Sequence, residues 1–230
     1  MNIAVIPARG GSKRIPGKNI KIFAHKPIIQ YSIEAAIKSN LFDKIIVSTD
    51  SNEIAEISKK FDAEVPFMRP KNLSDDETPT APVVRHAVNW VNMNLGTVDY
   101  VCCIYATAPF IRISDLISGY NLITKENIET VFPVTTFPYP IFRALKIENN
   151  LLEFVWSEHE LTRSQDLPET YHDAGQFYWL DAEKLMKHNG AFKCPSPIII
   201  PRFLVNDIDT PEDWETAELL YRTCKQRGIL

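Results

Sequence analysis

A mostly parallel α/β sheet covered by helices is the fold class this 230-residue sequence predicts. Three observations carry it. Short Ile- and Val-rich runs alternate with stretches of helical apolar spacing, the first run leads straight into a glycine-bearing basic loop, and a strongly signalled helix closes the chain. With 45% hydrophobic side chains, one domain spanning residues 1–230 can bury a sizeable core.

In chain order, strands are expected at 3–6, 44–48, 65–67, 100–104 and 130–134. Between them, Ile28, Tyr31, Ile33, Ala35 and Ala36 keep helical spacing, as do Ile54, Ile57 and Phe61, and then Val83, Val84, Ala87, Val88 and Val91. Asp50-Ser51 and Ser114 are the expected N-caps of the helices after them. Residues 138–172 break the alternation. There, 141–147 and 151–156 flank Glu148-Asn149-Asn150 as a hairpin, and the polar stretch 157–169 follows before the strand pattern resumes at 175–180. An insertion of this kind carries substrate specificity or a subunit contact. The apolar run Ile198-Ile199-Ile200 comes next. In the last helix Thr210 is the N-cap, Pro211 the first helical residue, Glu212 and Asp213 the acidic first turn, and Gly228 the stop. Trp214, Ala217, Tyr221 and Cys224 then form its buried face.

The formal charge of −4 and the lack of a long basic stripe argue against nucleic acid as the main partner. No stretch approaches the roughly 20 apolar residues of a membrane helix, and no cleavable leader is evident, so a soluble cytoplasmic protein is expected. Cys102, Cys103, Cys194 and Cys224 lack metal-type spacing and are read as buried reduced thiols.

Against that acidic background, Arg9, Lys13, Arg14 and Lys18 crowd the loop IPARGGSKRIPGKN. Concentrated cations repel one another unless a polyanion relieves them, and a nucleoside triphosphate fits. Gly10, Gly11 and Ser12 are small enough for backbone N–H groups to approach phosphate oxygens, Arg9 offers a planar fork, and Lys13 and Lys18 are movable point charges. The spacing matches neither the P-loop nor the dinucleotide fingerprint. Near the other end, Asp207 and Asp209 flank Ile208. In extended backbone both carboxylates face one point while Ile208 faces the core, and a cation between them relieves their repulsion. Mg²⁺ suits carboxylates shared with substrate phosphates; helix capping by Asp209 and a surface charge at Asp207 is the alternative.

IPARGGSKRIPGKN and NDIDTPEDW resemble the CMP-sialic acid synthetase family of cytidylyltransferases over essentially the whole chain. The resemblance implies a Rossmann-like nucleotidyltransferase fold, CTP as donor, Mg²⁺ dependence, and a homodimer formed through 138–172. It also implies attack of the anomeric hydroxyl of a 2-keto acid sugar on the α-phosphate of CTP, with release of pyrophosphate. Carried over by motif, Arg9 and Lys18 match catalytic cations, and Ala8, Gly10, Gly11, Ser12, Lys13 and Asn19 match nucleotide contacts. Arg69 in MRPKNLSDD matches a position associated with the base, Asp76 falls in the same motif, and Asp207 and Asp209 match metal ligands.

One departure bears on the acceptor. Where sialic acid synthetases carry a glutamine after the central strand, this chain has Tyr105, followed by Ala106-Thr107-Ala108-Pro109. A phenol offers one hydroxyl on an apolar ring in place of an amide, so a deoxygenated, more apolar sugar is expected. With Tyr171-His172-Asp173-Ala174-Gly175-Gln176-Phe177-Tyr178-Trp179, the resemblance is greatest to the branch that activates pseudaminic acid for bacterial surface or flagellar glycans. Sialic, legionaminic and 3-deoxy-octulosonic acids are the alternative acceptors, and a non-catalytic nucleotide-binding protein is the alternative class. Tyr105, Thr107, His172 and Gln176 are the expected acceptor contacts, with His172 either a base or structural. Phe177 and Trp179 fit either the core or the acceptor site.

Overall fold

The computed structural model describes residues 1–125, 127–187 and 195–230. Along the chain come β1 (Asn2–Pro7), the short hairpin of β2 (Ile22–Phe23) and β3 (Lys26–Pro27), α1 (Ile28–Ser39), β4 (Lys44–Ser48), α2 (Asn52–Lys59), α3 (Thr80–Asn94) and β5 (Tyr100–Ile104). Then follow α4 (Ile113–Ile123), β6 (Thr130–Thr136), the hairpin of β7 (Leu145–Glu148) and β8 (Leu151–Phe154), β9 (Tyr171–Asp173), β10 (Phe177–Asp181), α5 (Ala182–Lys187), β11 (Pro195–Ile199) and α6 (Pro211–Gln226).

The main sheet has the order β11-β6-β10-β5-β1-β4, with β9 also paired to β6. β4, β1 and β5 are mutually parallel and β11 is parallel to β6, whereas β10 and β9 run antiparallel to their neighbours. Parallel strands covered on both faces read as unbroken apolar runs, and Ile3, Ala4, Val5 and Ile6 are all fully buried. One face packs Ala4, Ile6, Cys102 and Ile104 against Ile29, Ile33 and Leu116; the other packs Ile3, Val5, Val101 and Cys103 against Val84, Ala87, Val88 and Leu185. A third cluster joins Ile15, Phe23 and Ile28 to Leu204, Ile208, Trp214 and Tyr221, tying α6 to the start of the chain. The expected capping box of α6 is present, with Thr210 and Asp213 each accepting the other's backbone N–H.

This topology positions a site. From β1 the chain passes through α1 to β4 on one side, then crosses through α3 to β5 on the other side of β1. Beyond the carboxyl ends of β1 and β5 the outgoing loops diverge and leave a crevice.

Several expectations need correction. Residues 65–67 form no strand: only isolated bridges join Glu64 to Ile46 of β4 and Met68 to Thr49 just beyond it, because Pro66 has no N–H to extend the ladder. Ser114 is not a cap, since α4 begins one residue earlier with Arg112 as N-cap, and a two-pronged Arg112–Asp115 pair braces its first turn. The inserted hairpin is shorter than expected, a 3-10 turn at Ile141–Arg143 preceding it, and its loop is Asn149-Asn150 with φ of 51° and 62°. Asparagine is among the side chains that tolerate this left-handed region. Phe177 and Trp179 are fully buried core residues. Cys102, Cys103 and Cys224 are buried free thiols, and burial pushes the first two well above the usual thiol range. Cys194 lies outside the described residues.

Two stability outcomes follow from the packing. A Cβ on Gly119 would lie 2.6 Å from Cδ1 of Trp179, whose indole is fixed by donating to the Leu116 carbonyl at 3.1 Å. Gly119→Ala is therefore expected to destabilise the fold by about 1–3 kcal/mol, seen as a lower urea midpoint; an unchanged midpoint contradicts the packing. Glu34 is partly buried, which raises its pKa, but hydrogen bonds from Lys26, Lys38 and Gln30 outweigh burial and bring it from 4.5 down to about 2. Its stabilising contribution is complete above the unfolded value and is lost as pH falls toward about 2. Unfolding of Glu34→Gln between those limits is expected to depend less on pH than that of the native chain, and parallel profiles would refute this.

Candidate active site

The crevice is built first by the loop leaving β1. Ala8 N–H donates to the Ser48 carbonyl, keeping the loop against β4, and Gly10 N–H donates to Asp50 Oδ1 at 2.8 Å. Gly17, at φ 63°, turns the chain into the 3-10 turn Lys18–Ile20. Buried Asn19 donates through Nδ2 to the Arg9 carbonyl at 2.9 Å, while Ile15 anchors the loop in the third core cluster. The backbone is thus held from several sides, and its cations project outward.

Those cations meet carboxylates from distant parts of the chain. Arg9 and Lys13 both pair with Asp76, and Arg9 also donates to the Asp75 carbonyl at 3.0 Å. Arg14 reaches Asp209 Oδ2 at 2.6 Å, and Lys18 contacts the Ile208 carbonyl at 2.5 Å and Asp209 Oδ1 at 3.2 Å. The Lys13 pair, and then the Arg9 pair, hold the Asp76 carboxyl below the usual range. These charged side chains border one cavity of about 520 Å³, whose described lining includes Arg9, Ser12, Lys13, Arg14, Lys18, Asn19, Arg69, Asp75, Asp76, Tyr105 and Asp209. Five cations there face three carboxylates, so the cavity keeps a positive balance that suits an anion carrying more than one charge.

Arg69 is the most telling of these. It is only 6% exposed, and among the described residues its Nε and Nη2 have no hydrogen-bond partner; the Asp50 carboxylate is 4.0 Å away. Burial lowers its pKa, Asp50 partly offsets that, and Arg9 adds repulsion. A guanidinium held in this state is expensive unless a ligand supplies acceptors.

At the opposite wall, Ile208 is buried between Asp207 and Asp209, as extended backbone requires. Burial and the Asp209 charge raise the Asp207 pKa, and Lys18 and Arg14 pull it down. Asp207 therefore belongs to the same electrostatic cluster, although it does not itself line the cavity. A divalent cation fits the pair. No group of three or more His, Cys, Asp or Glu forms a metal cluster among the described residues, so two carboxylates would leave most coordination positions to water and phosphate oxygens, as Mg²⁺ prefers.

Other expected contacts sit elsewhere. Ala8, Gly10 and Gly11 do not line the cavity, and the Gly10 N–H is already committed to Asp50. Among the expected acceptor contacts, Tyr105 borders the cavity while Thr107, His172 and Gln176 do not. Gln176 is buried and braces the 202–204 turn by donating to the Leu204 carbonyl at 2.7 Å; His172 packs edge-on against Phe137, its Nδ1 2.9 Å from the Asp173 carbonyl. Arg163 pairs with Asp166, and neither it nor Arg143 lines the cavity. Sequence reading left out Arg14 as a site residue, as well as Asp75, Thr78 and Thr80 in the loop before α3 and Asp50 behind the basic loop. The available signal was the polar stretch SDDETPT just before α3, at the edge where the chain crosses the sheet.

Comparison with known proteins agrees with this architecture. A family profile described as cytidylyltransferase matches residues 3–220. The chain is 44% identical over 223 residues to a pseudaminic acid cytidylyltransferase of Campylobacter jejuni, covering 96% of each chain. It is 29% identical to a CMP-N,N'-diacetyllegionaminic acid synthase of Legionella pneumophila, covering 95% of each. In fold it resembles a CMP:2-keto-3-deoxy-manno-octonic acid synthetase complexed with CTP, with a TM-score of 0.71 at 17% identity, over 96% of this chain and 98% of the other. A mixed sheet whose parallel strands open at a switch point, a basic loop after the first strand and a match over nearly the full length together establish that this chain belongs to the cytidylyltransferase family.

Proposed function

We propose that this enzyme transfers CMP from CTP to the anomeric hydroxyl of a 2-keto acid sugar, pseudaminic acid foremost, and releases pyrophosphate. One observation carries the reading: the basic loop, buried Arg69 and Asp209, separated by up to 200 residues of chain, border a single cavity. The high identity to the Campylobacter relatives supports the choice of acceptor, and the CTP-bound structural neighbour is consistent with the fold.

The chemistry is an in-line displacement at phosphorus, in which positioning and charge neutralisation do most of the catalysis. Arg9, Lys13, Arg14 and Lys18 exchange their carboxylate partners for phosphate oxygens as the triphosphate enters, and Arg9 and Lys18 stabilise charge on the α-phosphoryl group and the departing pyrophosphate. Arg69 gives its idle donors to the nucleotide. Asp207 and Asp209 would hold Mg²⁺, which when bound would polarise phosphate oxygens and lower the pKa of a bound hydroxyl. The exposed apolar side chains of the inserted hairpin and its flanks, Leu145, Ile147, Leu151, Leu152 and Leu161, support a homodimer through this segment.

Three outcomes test this reading. In an acceptor panel with CTP and Mg²⁺, pseudaminic acid is expected to give the most CMP-sugar by mass spectrometry; preference for sialic, legionaminic or octulosonic acid would reassign the acceptor, and no pyrophosphate from any of them would refute the activity. Lys18→Ala is expected to lower kcat by about 10²-fold or more at saturating CTP with little change in the unfolding midpoint; near-native turnover would remove Lys18 from the mechanism. Leu152→Glu on the inserted hairpin is expected to convert a dimer to a monomer by light scattering. An unchanged mass would place the subunit contact elsewhere.

A further inference from the structure

The segment just before α3 holds its own shape. Asp75 Oδ1 accepts the Glu77 N–H at 3.0 Å, the Thr78 N–H at 2.7 Å and the Thr78 hydroxyl at 2.7 Å, and Ser74 donates its hydroxyl to the Pro70 carbonyl at 2.9 Å. An aspartate that accepts the N–H two residues on closes a turn of its own. That turn presents two acceptors to the basic loop. The Asp75 carbonyl accepts from Arg9 Nη1 at 3.0 Å, and the Asp76 carboxylate pairs with both Arg9 and Lys13.

Two carboxylates thus neutralise the basic loop, Asp76 on one flank and Asp209 on the other, and they differ in what is left for them once phosphate arrives. Asp209 stands beside Asp207, and that pair has a cation to hold. Asp76 has no such second use. Its ion-pair partners among the described residues are Arg9 and Lys13, the cations that a triphosphate or a departing pyrophosphate needs. An ionised carboxylate offers acceptors only, as phosphate oxygens do, so the two compete for the same N–H groups and repel each other at close range.

We propose that Asp76 is an autoinhibitory latch: it fills the phosphate positions of Arg9 and Lys13 in the empty enzyme, opens as the triphosphate enters, and recloses on both cations as pyrophosphate leaves. This deepens the function proposed above and rests on its assignment of the basic loop to phosphate. The affinity for phosphate is then the difference between two partners, and it is lower than the cations alone would give. The latch orders the empty loop and weakens the hold on the product.

Calorimetric titration of the full chain with inorganic pyrophosphate, with Mg²⁺ and without sugar, tests the latch. Asp76→Asn keeps the size of the side chain and removes its charge, and the dissociation constant is expected to fall about three- to tenfold, the range of one or two partly exposed ion pairs. Asp76→Ala, which cannot donate to phosphate, is expected to gain as well. Glu77→Gln removes the exposed charge next along the chain, which pairs with neither cation, and is expected to shift binding less than about twofold. In a Lys13→Ala background the gain from Asp76→Asn is expected to shrink, because one arm of the latch is already gone. Unchanged or weaker binding in both folded Asp76 variants, a gain confined to Asp76→Asn, an equal gain from Glu77→Gln, or an undiminished gain without Lys13 overturns the inference and leaves the proposed function standing. If the native chain binds no pyrophosphate, the assignment of the basic loop to phosphate fails and both fall.

Discussion

The grip of Lys18 and Arg14 on Asp209 joins the two ends of the functional sequence, and the rest of the site depends on it. The contact is not left to charge alone, since ion pairs near solvent contribute little by themselves. Ile15 on one side and Ile208 on the other are buried in the same apolar cluster as Phe23, Leu204 and Trp214. Burial of these residues fixes both backbones, so the charged side chains meet across a set distance. The capping box at Thr210 and Asp213 then stops the segment after Asp209 from drifting, and Asp213 also accepts the Asp209 N–H at 3.1 Å.

In this state the carboxylates stand in for what a nucleotide would bring. Asp76 bridges Arg9 and Lys13 and Asp209 bridges Arg14 and Lys18, so the basic loop is ordered without accumulating unrelieved repulsion. Arg69 is the exception, buried with unused donors, and it marks the part of the cavity where a ligand has most to add. The relation between fold and function is therefore electrostatic as much as geometric. The sheet supplies the crevice, and the loops supply an excess of positive charge already directed into it.

Much of the fold was legible because its signals are local. The Ile- and Val-rich runs of β1, β4 and β5 and the Thr210-Pro211 start of α6 lie where periodicity and capping chemistry put them. The stretch around Pro66 misled because its apolar character reports burial, whereas strand pairing needs an N–H that proline lacks. Ser114 misled because a bidentate Arg112–Asp115 pair braces the helix start that a hydroxyl would otherwise cap. The direction of β10 was not legible at all: β6 is followed by a hairpin instead of a crossover helix, and that brings the chain back antiparallel. In the site, clustered cations and the Asp-Ile-Asp spacing were readable in one dimension. The roles of Gln176 as a buried brace and of Asp173 as a partner of Tyr178 are set by cross-strand neighbours that no spacing rule reveals.

The most direct measurement is a crystal structure of the protein with CTP and Mg²⁺. The account predicts the triphosphate lying between Arg9, Lys13 and Lys18 on one flank and a metal held by Asp207 and Asp209 on the other, with Arg69 bonded to the nucleotide. Density for CTP outside this cavity, or a bound nucleotide with the Asp76 and Asp209 ion pairs intact, would contradict it.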